Sequence, residues 1–171
     1  PQASLCCRQA TAVPSEYAVL TASPLSRSVH HPGSIAMHQD SQKLIQDYYA
    51  AFNAGNMDTF LELLTEDVVH DINQGQRETG KAAFRAFMDR MNRNYKEQLV
   101  DMVIMTSGDG KRAAAEFVVL GEYLVTDEGL PEAKGQKYRL PAGAFFDIRD
   151  GKVARITNYY NLEDWIAQVN A

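Results

Sequence analysis

The chain has 171 residues, 45% of them hydrophobic, which suits one ordinary domain with a core. Its 17 Lys and Arg against 22 Asp and Glu give a net charge of −5, which argues against a nucleic-acid groove or an anionic membrane surface, since both need clustered cations. No apolar run approaches the ~18 residues of a membrane helix, and the only cysteines are adjacent, Cys6 and Cys7, so neither a disulfide framework nor a spaced metal site is expected.

Residues 1–36 differ from the rest. They hold four of the six prolines, both cysteines, six serines and three charges, Arg8, Glu16 and Arg27. A transit peptide would carry more arginine, and a secretory signal would carry a continuous apolar stretch. The favoured reading is an upstream extension, disordered, with Met37 as the start. So few bulky apolar residues cannot offset the chain entropy. Residues 37–171 are then the working domain. They lack cysteine, which fits a reducing, cytoplasmic setting.

The domain reads as helices, then strands. Ser41 can cap a helix reaching Asn53, with Leu44, Ile45, Tyr48, Tyr49 and Phe52 on one face and Gly55 as its stop. A short second helix buries Met57, Phe60, Leu61 and Leu64. Asp67 to Ile72 reads as a short strand and Asn73 to Arg77 as a turn. Thr79 caps a third helix striped by Phe84, Phe87, Met88 and Met91. Strands follow over 98–106, 112–126, 137–149 and 152–161. The turns between them are Ser107 to Gly110, a wide loop over 127–136, and Asp150-Gly151, the strongest hairpin signal in the chain. A short helix over 162–169 closes the chain. Helices ahead of a run of antiparallel strands mean an α+β domain, with helices across the concave face of a curved sheet. The open end of such a cone suits a small apolar ligand.

Three stretches carry a family resemblance: L-I-Q-D-Y-Y-A-A-F-N-A-G over 44–55, L-L-T-E-D-V-V-H-D-I-N-Q-G-Q-R-E-T-G over 63–80, and G-A-F-F-D-I-R-D-G-K-V-A-R-I-T-N-Y-Y-N over 143–161. With the element order, they resemble ketosteroid isomerase-related, SnoaL-like proteins of the nuclear transport factor 2-like superfamily, across essentially all of 38–171. The resemblance implies a cone-shaped, cystatin-like fold, three N-terminal helices packed on a curved antiparallel sheet, and a homodimer. It implies a catalytic tyrosine seven residues before the glycine ending the first helix, here Tyr48 before Gly55. It implies a general-base aspartate nine residues before the glycine opening the third helix, here Asp71 before Gly80. The second acid of the isomerases falls on Gly143, eight residues before Gly151, and is missing. Losing such a donor costs on the order of 10²–10³ in rate. The segment from Asp67 to Asp71 is one residue shorter than in the isomerases, and a one-residue slip turns Asp71 outward and His70 inward.

Each candidate has two readings. Asp71, between apolar neighbours, is either a base poised by desolvation or a cap for the following turn. Tyr48 donates to a substrate oxygen or packs in the core. His70 is a proton shuttle or a histidine packed under a helix. Asn158 and Tyr160, on one strand face with Ile156, bind ligand oxygens or shape the cavity, or else make a dimer contact; Asn73 also orients the ligand. Glu116 is a second carboxylate if inward and a solvated residue if outward. Arg155 and Tyr159, on the other face, suit a dimer interface. No histidine spacing supports a metal, and no nucleotide-binding glycine motif is present. The expected function is cofactor-free acid/base chemistry, of isomerase, cyclase or dehydratase type, on a small apolar carbonyl or polyketide-like molecule. The alternatives are a non-catalytic ligand-binding or dimerisation domain, and an epoxide hydrolase-like enzyme with an arginine between two acids.

Overall fold

The computed structural model describes residues 32–73 and 75–171, with side chains from Gln39 onward. Most of the segment expected to be disordered lies outside the described residues. Helix α1 spans Pro32–Asn53, so it opens inside that segment and passes through the expected domain start at Met37. Ser41 is therefore no cap. It lies within the helix, buried, and its hydroxyl donates to the Gly110 carbonyl at 2.6 Å.

The apolar face of α1 forms as the spacing predicts. Leu44, Ile45, Tyr48 and Tyr49 are buried and Phe52 packs against them. Gly55 has a positive φ of 66°, which a side chain would resist, and ends the helix. Asn53 clips the helix end to the sheet, accepting from Leu99 N and donating to Leu99 O, both at 2.9 Å. Helix α2 (Met57–Glu62) is capped by Asn56, whose side chain accepts from Thr59 N. Helix α3 (Lys81–Asn94) starts after Gly80, at φ 95°, with no side-chain cap. Thr79 instead ends a three-residue strand, β2 (Arg77–Thr79), which starts at the last residue of the expected turn.

The other strands are β1 (Leu64–Asp71), β3 (Tyr95–Thr106), β4 (Arg112–Tyr123), β5 (Gln136–Arg149) and β6 (Lys152–Tyr160), and α4 (Leu162–Val169) closes the chain. They form one sheet in the order β2-β1-β6-β5-β4-β3. Its pairs are antiparallel except β1 with β6, which run parallel. The β5–β6 turn has Asp150 at φ 53° and Gly151 at φ 69°, the pair of positive values that a two-residue hairpin turn requires.

Side chains alternate across the sheet. On β4, Ala113, Ala115, Phe117, Val119 and Tyr123 are buried, while Arg112, Glu116 and Leu120 are exposed. The buried set faces the helices and makes the concave side. A bulge in β3 sets Asp101 and Met102 opposite Phe117, with Asp101 at φ 54°, and such an extra residue bends a strand. Ile45, Phe60, Leu64, Phe146, Val153 and Ile156 are wholly enclosed, each stabilising the fold by roughly 1.5–3 kcal/mol. The result is the expected α+β cone, curved and unclosed.

Candidate functional site

A cavity of about 1160 Å³ opens between the helices and the concave face. Its lining is mostly apolar: Phe52, Phe84, Phe87, Met91, Leu99 and Phe117 are among its walls. Of the residues singled out in the sequence, Tyr48, His70, Asn73, Asn158 and Tyr160 line this one space. Asp71 and Glu116 do not.

Register explains the split. His70 pairs with Ile156, whose neighbours in strand parity, Asn158 and Tyr160, face inward. Asp71 pairs with Thr157 and shares the outer face with Arg155. The one-residue shortening of this segment has the consequence a slip in register demands: the acid points away from the cone and the imidazole points into it. Tyr48 and Asp71 therefore do not meet. Gly143 pairs with Glu116 and Tyr159 on the outer face as well, so an acid there would not enter the cavity. Glu116 is exposed on that side.

Asp71 instead anchors an ion network on the convex face. Arg77 reaches it at 2.6 Å and Arg155 at 3.4 Å. Arg155 also reaches Asp147 at 3.0 Å, and Asp147 takes Arg112 at 2.5 Å. The hydrogen bond from Arg77 leads the effects that hold the Asp71 carboxyl below the usual carboxylate range. An arginine between two aspartates, the epoxide-hydrolase arrangement, is thus present, but it faces away from the cavity and both acids are already shared with a further arginine.

His70 is 3% exposed and sits between Phe84 and Phe87, ring centroids 5.1 Å and 4.5 Å away. Burial lowers its pKa to about 4, with the Asp71 charge opposing in part. The ring is uncharged at neutral pH. Its Nδ1 has no hydrogen-bond partner. Directly across the β1–β2 ladder stands Glu78, which also lines the cavity and whose Oε2 is likewise buried without a partner. Two partnerless polar atoms at one wall of an apolar space are costly unless something else pairs with them.

Tyr48 is buried among rings, 4.3 Å from Phe60 and 5.5 Å from Phe146, and burial drives its pKa far up. It stays a neutral hydrogen-bond donor. Tyr49, beside it, keeps a buried hydroxyl without a partner.

The far end of the cavity holds groups that the sequence pattern did not single out. Tyr138 donates a short hydrogen bond to Glu97 Oε1, and both residues line the cavity. Burial raises the Glu97 carboxyl above the usual range, the Tyr138 bond opposing. Tyr95, Asp127, Tyr160 and Trp165 complete that end. A signal was available: Glu97 occupies the inward parity of β3 between Tyr95 and Leu99, where an acid is out of place. Among the described residues, no three His, Cys, Asp or Glu gather as metal ligands, and no helix is long and apolar enough to cross a membrane.

Comparison with known proteins places this geometry. The model of the SnoaL-like domain matches residues 45–156. A candidate polyketide cyclase from Pseudomonas putida KT2440 is 64% identical, covering 75% of this chain and 97% of its own, with a TM-score of 0.74. A second candidate polyketide cyclase, from Xanthomonas campestris pv. campestris, is 57% identical, covering 78% and 98%, with a TM-score of 0.75. A nuclear transport factor 2-like protein of unknown function from Burkholderia pseudomallei K96243 shares the fold at 14% identity, covering 77% and 98%, with a TM-score of 0.66. No curated protein sequence matches this one.

Proposed function

The chain belongs to the SnoaL-like domain family, and we propose that it moves a proton on a polyketide-like carbonyl compound, with His70 as the group that takes it. The observation that carries this is the cavity-lining imidazole, buried, uncharged and with a partnerless Nδ1. In this reading His70 removes a proton from a carbon flanked by carbonyls, and the electron pair moves onto a carbonyl oxygen. Such a C–H is among the more acidic carbon acids, which a ring weakened as a base by burial requires, and the candidate polyketide cyclases similar to this chain suggest the substrate class. The Glu78 carboxylate, opposite on the ladder, faces the imidazolium that forms. Tyr48 donates to the developing oxyanion, and Asn73, Asn158 and Tyr160 orient the ligand. Asp71 acts from behind, its charge favouring the protonated ring without touching substrate. The exposed outer-face residues Val103, Met105, Leu120, Phe145 and Tyr159 are the surface through which two copies would pair, with Glu116 among them.

The test is exchange of α-protons from 1,3-diketones in deuterated buffer, followed by proton NMR. Wild type and Asp71→Asn should accelerate exchange, and His70→Asn should not. The second reading is a cone that binds without reacting, favoured by the outward turn of Asp71. Diketones that bind with no exchange in any variant would establish it.

A further inference from the structure

Glu97, Gly121 and Tyr138 stand in one row across three strands. Glu97 pairs with Gly121, and Gly121 pairs with Tyr138. With neighbouring strands ~4.8 Å apart, Glu97 and Tyr138 are separated by roughly twice that distance. Side chains so placed do not ordinarily touch. They touch here because Gly121 has no side chain: a Cβ added there would lie 2.0 Å from Tyr138 Cζ and 2.4 Å from its hydroxyl oxygen. The phenol lies across the bare backbone of β4 and reaches the carboxyl on β3. A glycine inside a long strand costs stability and packs nothing of its own, so this one serves the close approach.

Both groups line the same cavity as His70. Counting along β5, Tyr138 is six residues from Ala144, the partner of Asn158, which is roughly 20 Å of strand. The end of the cavity that holds Asn158 and His70 thus stands apart from the Glu97–Tyr138 pair, with Tyr160, opposite Ala142, between them.

Resting on the reading of the cavity as a ligand site, we propose that the Glu97–Tyr138 pair, joined across Gly121, is its second polar anchor, binding a hydroxyl or carbonyl oxygen remote from the reacting carbon. The ligand class is then a molecule with an apolar body and oxygens at both ends. Tyr138 fixes the carboxyl, and the remaining Glu97 oxygen meets the ligand.

Trp165, the single tryptophan, lies 5.9 Å from the Tyr138 ring and reports binding at this end. The experiment titrates its fluorescence with α,ω-alkanediols from 1,8-octanediol to 1,14-tetradecanediol and with the matching 1-alkanols. In wild type, diols of one favoured length should bind about tenfold tighter than the shorter and longer ones. Tyr138→Phe should abolish that length preference while changing alkanol affinity less than about threefold. Gly121→Ala, which pushes the phenol aside without altering either polar group, should do the same. A preference that survives both variants, or no preference in wild type, overturns the anchor while leaving the cavity reading intact. Failure of every alkanol to bind wild type would overturn both. Glu97→Gln, which keeps a donor and an acceptor, should retain the preference, and its loss there alongside folded protein would overturn the anchor as a hydrogen-bonding pair.

Discussion

Lowering the pH should expose the cost of burying His70. The unfolded imidazole takes its proton near pH 6.5, and the folded one, desolvated between Phe84 and Phe87, near 4. Between those values the unfolded chain holds the extra proton, so acid favours unfolding. The His70 contribution is intact above pH 6.5 and is lost as pH falls toward 4. At 1.36 kcal/mol per pKa unit the whole span is about 3 kcal/mol, of which about 2 kcal/mol is gone by pH 5. Urea denaturation of wild type and His70→Asn between pH 7.5 and 4.5 measures it. Wild type should lose about 2 kcal/mol more than the variant by pH 5, whatever their difference at neutrality. Glu97 titrates with the opposite sign: its carboxyl is raised by burial, so acid favours the folded state, equally in both proteins. Asp71, whose carboxyl is lowered, loses its contribution only as pH falls below the ordinary carboxylate range. Parallel pH dependences for wild type and His70→Asn would refute the buried, uncharged imidazole.

Further outcomes follow from the same geometry. Glu97→Gln should raise stability at pH 8 and lose that advantage on acidification, read by denaturant midpoints. Asp71→Asn should leave alkanol affinity unchanged, because the side chain faces the arginines and not the cavity. Phe145→Glu, at a residue 52% exposed and packed 5.8 Å from Tyr159, should convert a dimer to monomer in sedimentation; an unchanged mass would remove the outer face as the pairing surface. Gly151→Val, at φ 69°, should cost about 1 kcal/mol or more in thermal or urea unfolding, with the cavity unaffected.

The fold was legible because its signals are local and periodic. The face of α1, the alternation along β4 and the Asp150-Gly151 turn each fix one element without reference to the others. The site was less legible because it depends on register. Val69, His70 and Asp71 are consecutive, and nothing within those three residues says which faces the core. The pairing of His70 with Ile156, a partner far along the chain, decides it. The start of helix α1 and strand β2 escape the sequence pattern for different reasons. The start of α1 lies in a stretch with too little apolar periodicity to announce a helix. Strand β2 is three residues long and takes its hydrogen bonds from β1, so N-Q-G-Q-R reads as a turn. The Glu97–Tyr138 contact spans three strands and was invisible to any argument confined to one.

The parallel pairing of β1 with β6 places the histidine-bearing strand beside a strand far along the chain. During synthesis, residues 64–71 must wait with an open edge until residues 152–160 leave the ribosome. Ordering them closes a loop of most of the domain, which delays folding relative to a chain with neighbouring contacts. A ribosome-stalled or clipped chain ending before Lys152 would retain α1 to α3 and the β3–β4 and β4–β5 pairings, lose α4 with β6, and have an unsupported wall where His70 belongs. The wall that carries His70 is therefore completed late, and removal of residues 152–160 is the quickest way to open it.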